Sequence, residues 1–140
     1  MNKGKIIVLF LAASIILPSL ILGYRSTRDP FDLVEVSLNK KEVPPGDDLT
    51  LTLSNYGFKA VGFGEAYGIY REYPNGTLKE VDFPYAWTAG YYMIGALIGE
   101  FKQRIVTEHI DLGEYLVEKE FDIQEVGSYS KVVPLTVIEK

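Results

Sequence analysis

Cysteine is absent from all 140 residues, and histidine and tryptophan occur once each, at His109 and Trp87. The first absence removes disulfide staples, Cys–His nucleophilic sites and lipid attachment through a cysteine. One histidine cannot supply the several nitrogen or sulfur ligands that zinc takes, and between strand residues His109 reads as a packing or surface residue. No serine stands in a strand–turn–helix nucleophile context. Basic residues are also few, 14 against 19 acids, and two of the 14 precede residue 24. The remainder, 12 against 19, is poorly suited to neutralising nucleic-acid phosphates. Glu114, Glu118, Glu120 and Asp122 share one strand parity and Asp47–Asp48 form a pair. Neither group has the tight-loop spacing that calcium demands. A solvated strand face explains these acids without a pair of catalytic carboxylates. No metal, no cofactor and no enzymatic activity is expected.

One long apolar run is present, at the start. Lys3 and Lys5 precede Ile6–Gly23, 18 residues without a charge. As a helix that run would be ~27 Å long, close to the hydrocarbon thickness of a bilayer. Residues 1–23 are therefore expected to form an N-terminal hydrophobic helix, either a signal peptide or a transmembrane anchor. A cut after Gly23 would set Ile21 at −3, where signal processing wants a small residue, which points to retention. Lys3, Lys5 and the α-amine favour an inside start. Residues 24–30 then form a linker, and residues 31–140 lie outside the cytoplasm, at the cell membrane or secreted if the segment is cut.

Beyond residue 30 the periodicity is that of strands. Leu49, Leu51 and Leu53 alternate with Thr50, Thr52 and Ser54, one buried face and one wet. Val34, Val36 and Leu38 predict an earlier strand over 32–39. Val43-Pro44-Pro45-Gly46-Asp47 is a turn between the two. A third strand is predicted from about Ala60 to Tyr73, with Val61, Phe63, Tyr67 and Ile69 on one parity. Glycines 62, 64 and 68 mark a bulge or a close neighbour there. Glu65 falls on the apolar parity. It is expected either in water, through a bulge at Gly64 that flips the register, or buried against Arg71 or Arg104. Asn75-Gly76 predicts a type I′ hairpin turn, with both residues at positive φ, and a return strand over 77–83. A strand is expected over 104–112 and another from Tyr115 to Ile123, where Lys119 interrupts the apolar face and marks an edge or a twist. Pro134 marks a bulge or an edge in the last section, and residues 129–140 read as one strand or as a tight pair.

Glu125-Val126-Gly127-Ser128-Tyr129-Ser130-Lys131 resembles the acid-x-Gly-x-Tyr-x-Cys run of immunoglobulin domains, with Lys131 at the cysteine position. LTLSNYG leading into VGFGEAYGIYREYPNGT, DLGEYLVEKEFDI and VGSYSKV together resemble a prokaryotic immunoglobulin-like domain family of secreted or membrane-anchored proteins. The resemblance spans about residues 31–140 and implies an all-β, immunoglobulin-like antiparallel β-sandwich without catalytic function. Asn75 and Gly76 are structural as the hairpin turn, and the resemblance implies structural roles for Gly127 and Tyr129, the last with its hydroxyl tied to upstream backbone. Two departures stand out. The tryptophan of the third strand is missing, and residues 84–99 look like an insertion.

Phe83–Gly99 holds 17 residues without a charge and the only tryptophan. The spacing of Tyr91, Ile94 and Ile98 predicts a short helix. Tyr85, Trp87, Tyr91, Tyr92 and Met93 exceed what a sandwich core needs. They form either a lid over one end or an exposed patch for a partner or a membrane interface. Asn75-Gly76-Thr77 is the only glycosylation sequon. The function expected is a tethered or secreted extracytoplasmic module that binds a protein, glycan or envelope component, with the membrane itself met through residues 6–23. One alternative is a pilin-like filament subunit, suggested by Lys3-Gly4-Lys5 before Ile6, although residues 6–23 hold no glutamate. Another is an accessory domain of a carbohydrate-active enzyme.

Overall fold

The computed structural model describes residues 28–140. The helix expected over 1–23 and most of the linker lie outside the described residues. Among those described, no helix is long and apolar enough to cross a membrane. The chain enters through a 3-10 turn at Pro30–Leu33, with proline at its start and the Asp29 carboxylate accepting the Phe31 N–H. Ten strands follow: β1 Val34–Leu38, β2 Glu42–Val43, β3 Leu49–Asn55, β4 Val61–Gly64, β5 Gly68–Glu72, β6 Leu78–Glu80, β7 Tyr91–Ile94, β8 Gly99–Ile105, β9 Gly113–Ile123 and β10 Gly127–Val137. They make two sheets. The smaller runs β1-β3-β8, and the larger runs β2-β10-β9-β4-β7, with β5 also on β9 and β6 beside β5. All pairings are antiparallel except β2 with β10.

The alternating residues supply the layer between the sheets. Leu49, Leu51 and Leu53 from β3 are buried with Val61, Phe63, Ile69, Tyr115, Val117, Phe121 and Ile123 from the larger sheet. Each such side chain contributes ~1.5–3 kcal/mol through burial, enough to hold a sandwich with no disulfide. Residues 129–140 settle as one strand. β10 pairs with β9 along its whole length, and Pro134 lies opposite Leu116 where β10 is otherwise a sheet edge, a place that tolerates a missing N–H.

Several expectations are corrected. The strand predicted from Ala60 to Tyr73 is two strands, both laid along β9. Between the pairs Gly62–Asp122 and Gly68–Glu118, five residues (63–67) face only three (119–121). Two residues are therefore extra, not one, so the register does not flip, and Phe63, Tyr67 and Ile69 all stay buried. The helix expected from Tyr91 is the strand β7, because pairing with β4 satisfies its backbone and outweighs a helical spacing weakened by Gly95. The strand expected over 104–112 lies earlier, at β8, and residues 107–112 turn instead. The return strand over 77–83 shortens to β6.

The hairpin at Asn75-Gly76 forms, but not as type I′. The Gly76 N–H donates to the Tyr73 carbonyl and the Tyr73 N–H to the Thr77 carbonyl. Gly76 is at φ +80, while Asn75 is not at positive φ. Pro74 presets the first turn residue near φ −65°, which gives a type I turn with glycine in the left-handed position after it. The tyrosine corner also moves. The Tyr115 hydroxyl donates to the Asp111 carbonyl at 2.8 Å, so Asp111-Leu112-Gly113-Glu114-Tyr115-Leu116-Val117 carries the motif, with Val117 at the cysteine position. Tyr129 instead packs its ring against both Phe31 and Phe121, which also stack on each other. Gly127 opens β10 at φ +152, directly after the turn from β9.

Candidate functional site

Lys119 is where sequence reasoning went furthest astray. It marks neither an edge nor a twist but is 0% exposed inside the sandwich. The two-residue bulge explains why this is tolerable. Leaving the ladder turns backbone carbonyls inward, and the ammonium donates to Gly64 at 2.7 Å and Ala66 at 3.0 Å. Gln103 Oε1, from β8 in the opposite sheet, accepts at 2.8 Å. Burial pushes the Lys119 ammonium down to about 8, and the Glu65 carboxylate works against that shift. This is a satisfied polar joint between the sheets, not an open site. The legible signal was a lysine on the buried parity opposite a glycine-interrupted strand.

Glu65 pairs with neither Arg71 nor Arg104. Its carboxylate accepts from Tyr92 Oη at 2.6 Å and from the Thr88 hydroxyl. These two bonds, Thr88 first, hold it below the ordinary carboxylate value. Arg71 lies over the Tyr73 and Tyr115 rings and donates to the Leu112 carbonyl, while Arg104 meets Asp48 and Glu108. Glu65 thus ties the segment after Phe83 to the sandwich.

The segment 83–99 divides into two parts. Trp87 is half-buried and packs on Tyr67, Phe83 and Tyr85 at ring-centre separations of 4.7, 5.0 and 5.3 Å. His109 lies beside Phe83 in the same cluster. The Tyr67 hydroxyl accepts the Val106 N–H and meets Tyr85 Oη, and burial raises its pKa strongly. Residues 83–87 therefore cap one stretch of the core, as a lid does. Tyr91, Tyr92 and Met93 lie elsewhere, on β7 at the edge of the larger sheet. They are 61%, 40% and 59% exposed, while Ile94 is buried. The Tyr92 ring stacks on Phe63 and Phe101.

Tyr91 shows why β4 is rich in glycine. A Cβ on Gly62 would stand 1.9 Å from Tyr91 Oη, so the bare backbone lets the ring lie across the outer face of the sheet. Its hydroxyl donates to Asp122 Oδ2 at 3.1 Å, and the Ser128 hydroxyl donates to the other oxygen of the same carboxylate. Burial against the sheet and the bond to Asp122 both raise the Tyr91 pKa. Beside the ring, Gly64, Glu120, Asp122, Ser128 and Ser130 line a depression of about 430 Å³. An exposed ring, two carboxylates and two hydroxyls can stack on and hydrogen-bond a neutral or cationic group, and they repel polyanions. Asn75 is exposed at its hairpin tip, where its side chain accepts the Thr77 N–H. No group of acids and histidine suited to a metal ion occurs among the described residues.

No curated protein matches the sequence at a significant level. Solved structures similar to this chain include two that cover most of it. One is the X-ray structure of Northeast Structural Genomics Consortium target SoR45, 13% identical with a TM-score of 0.47, covering 76% of this chain and 88% of that one. The other is the ASH/PapD-like domain of human CEP192 (PapD-like domain 7), 15% identical with a TM-score of 0.42, covering 81% and 91%. A family model described as bacterial Ig-like domain matches residues 31–132, the stretch from the entry turn into β10 that includes the tyrosine corner. The chain belongs to the bacterial Ig-like domain family.

Proposed function

We propose that this chain is a non-catalytic extracytoplasmic interaction module, tethered to a membrane by residues 6–23. In this reading it binds a protein or glycan of the cell envelope through the outer face of the larger sheet at β7. The observation that carries the reading is Tyr91. Its ring is held across Gly62 by a bond to Asp122, yet most of its surface stays open. An aromatic ring fixed and exposed presents contact area at low entropic cost, which is what recognition surfaces use. Met93 lies beside it on the edge strand and adds adaptable apolar contact. Glu120 and Asp122 select against nucleic acid and other polyanions, which leaves neutral glycans and basic polypeptide surfaces as partners.

The test is capture by envelope fractions of the full chain carrying Tyr91→Ala together with Met93→Ala. Association should fall at least tenfold while the melting temperature moves by only a few degrees. Unchanged association would place the contact elsewhere on the domain.

A further inference from the structure

The two ends of the sandwich differ in chemistry. One end is formed by residues 56–60, 95–98 and 124–126, and these loops are tied into a single surface. The Leu97 N–H donates to the Gly57 carbonyl at 2.7 Å, and Asn55 Nδ2 donates to the Lys59 and Gly95 carbonyls. The Gln124 N–H donates to the Ala60 carbonyl, and Lys59 pairs with Glu125. On that surface Tyr56, Phe58, Leu97, Ile98 and Val126 are exposed, Ile98 by 81%. Leu97 holds φ +79, a left-handed conformation that glycine would adopt without strain. A leucine kept there at a cost in backbone energy presents an apolar side chain that glycine lacks. The loops at the opposite end carry Asp47, Asp48, Glu108 and Asp111, which meet Lys140, Arg104 and Arg71 in ion pairs.

The chain enters the domain at the apolar end. The Tyr56 N–H donates to the Leu33 carbonyl, closing the 3-10 turn at Pro30–Leu33 against this surface. From Gly23, the last residue of the uncharged run, to Pro30 is seven residues. A chain of that length reaches at most ~25 Å, so any bilayer holding residues 6–23 lies within reach of this end.

We infer that Tyr56, Phe58, Leu97 and Ile98 form a membrane-facing tip that sits in the interface of the bilayer holding residues 6–23. Tyrosine and phenylalanine beside aliphatic side chains are the composition that partitions to the headgroup boundary. Lys59 on this surface pairs with Glu125, which leaves the exposed apolar side chains to carry the contact. Such docking fixes the sandwich upright and turns the β7 face sideways, toward neighbours in the envelope. The inference rests on the tethered reading above.

Because the chain has no cysteine, a single introduced thiol is unique. Ile98→Cys, Phe58→Cys and, at the far end, Leu112→Cys would each be labelled with an environment-sensitive fluorophore. The full chain would then be reconstituted in phosphatidylethanolamine–phosphatidylglycerol vesicles. The probes at 98 and 58 should shift to the blue and be quenched by nitroxide-bearing lipid, and the probe at 112 should be quenched only by aqueous iodide. Chain that floats with the vesicles and resists carbonate extraction, yet shows iodide quenching at 98 and 58, overturns the tip and leaves the tether standing. Chain that does not float overturns the tether, and the tip with it. Probes at 98 and 58 shielded from both quenchers, with crosslinked chains, overturn the lipid contact in favour of a second copy.

Discussion

The Lys119 ammonium stands 2.7 Å from the Gly64 carbonyl oxygen, and the two belong to neighbouring strands whose register the bulge between them has shifted by two residues. Lys119→Met keeps the apolar stem and removes the charge. That relieves the desolvation of an ammonium but leaves the Gly64, Ala66 and Gln103 oxygens without their donor. Each orphaned buried acceptor costs ~1–3 kcal/mol, so the orphaned acceptors win. A net loss of ~2 kcal/mol or more is expected in urea unfolding. Equal stability would show that the bulge does not depend on the lysine.

Tyr115→Phe removes the bond to the Asp111 carbonyl and should cost ~1 kcal/mol, the usual net value of one hydrogen bond. Tyr129→Phe should cost close to nothing, because the ring contacts with Phe31 and Phe121 remain. Thermal unfolding of the two variants decides which tyrosine makes the corner. A larger loss from Tyr129→Phe would return the corner to the second motif.

These two tyrosines show what the sequence could and could not say. Both sit in an acid-x-Gly-x-Tyr pattern, and pattern alone cannot choose between them. The choice lies in tertiary context: Asp111 precedes a turn that brings its carbonyl to the Tyr115 hydroxyl, whereas Tyr129 faces Phe31 of the entry turn. Leu49–Asn55 was legible because alternation, the turn before it and the break after it all agree. Lys119 and Tyr91 were not, because one depends on a bulge of two residues and the other on a ring lying across a bare neighbouring strand. Both are long-range consequences of Gly62, Gly64 and their partners on β9 and β7.

Gly76 is at φ +80, and a Cβ there would meet nothing within 4 Å. Any cost of Gly76→Val is therefore backbone strain, ~1 kcal/mol or more for a β-branched residue in the left-handed region. Gly76→Asn, which tolerates that region, should cost less. Equal melting temperatures for the two would contradict the turn geometry.

Glu65 makes the lid attachment sensitive to acid. Its carboxyl is held below the ordinary carboxylate value, first by Thr88 and then by Tyr92. A depressed carboxylate stabilises above its unfolded pKa and loses that contribution as pH falls through the folded value. As pH falls through the carboxylate range the segment 83–90 should loosen. Trp87, the only tryptophan, reports this as a red shift of its emission. Glu65→Gln should remove the acid transition, and an identical shift in that variant would assign it to another group.

The last expectation separates the lid from the open face, which the sequence joined in one apolar run. Trp87 is packed on three aromatic rings, so Trp87→Ala should cost ~3 kcal/mol, the lower end of the range for large buried aromatics because part of the ring is exposed. Gly62→Ala acts on the other part without touching an aromatic residue. Its Cβ would fall where Tyr91 Oη now lies, but Tyr91 is mostly solvent-exposed and can swing away. Gly62 is not at positive φ, so alanine fits the backbone, and its lower unfolded-state entropy offsets the lost Tyr91–Asp122 bond. Stability should change by less than ~1 kcal/mol, while the fluorescence or NMR signature of Tyr91 changes and association with envelope fractions falls. If Gly62→Ala moves Tyr91 and association persists, the ring is a sheet cover and not a contact. If Trp87→Ala weakens association with no loss of stability, the lid takes the role assigned to β7.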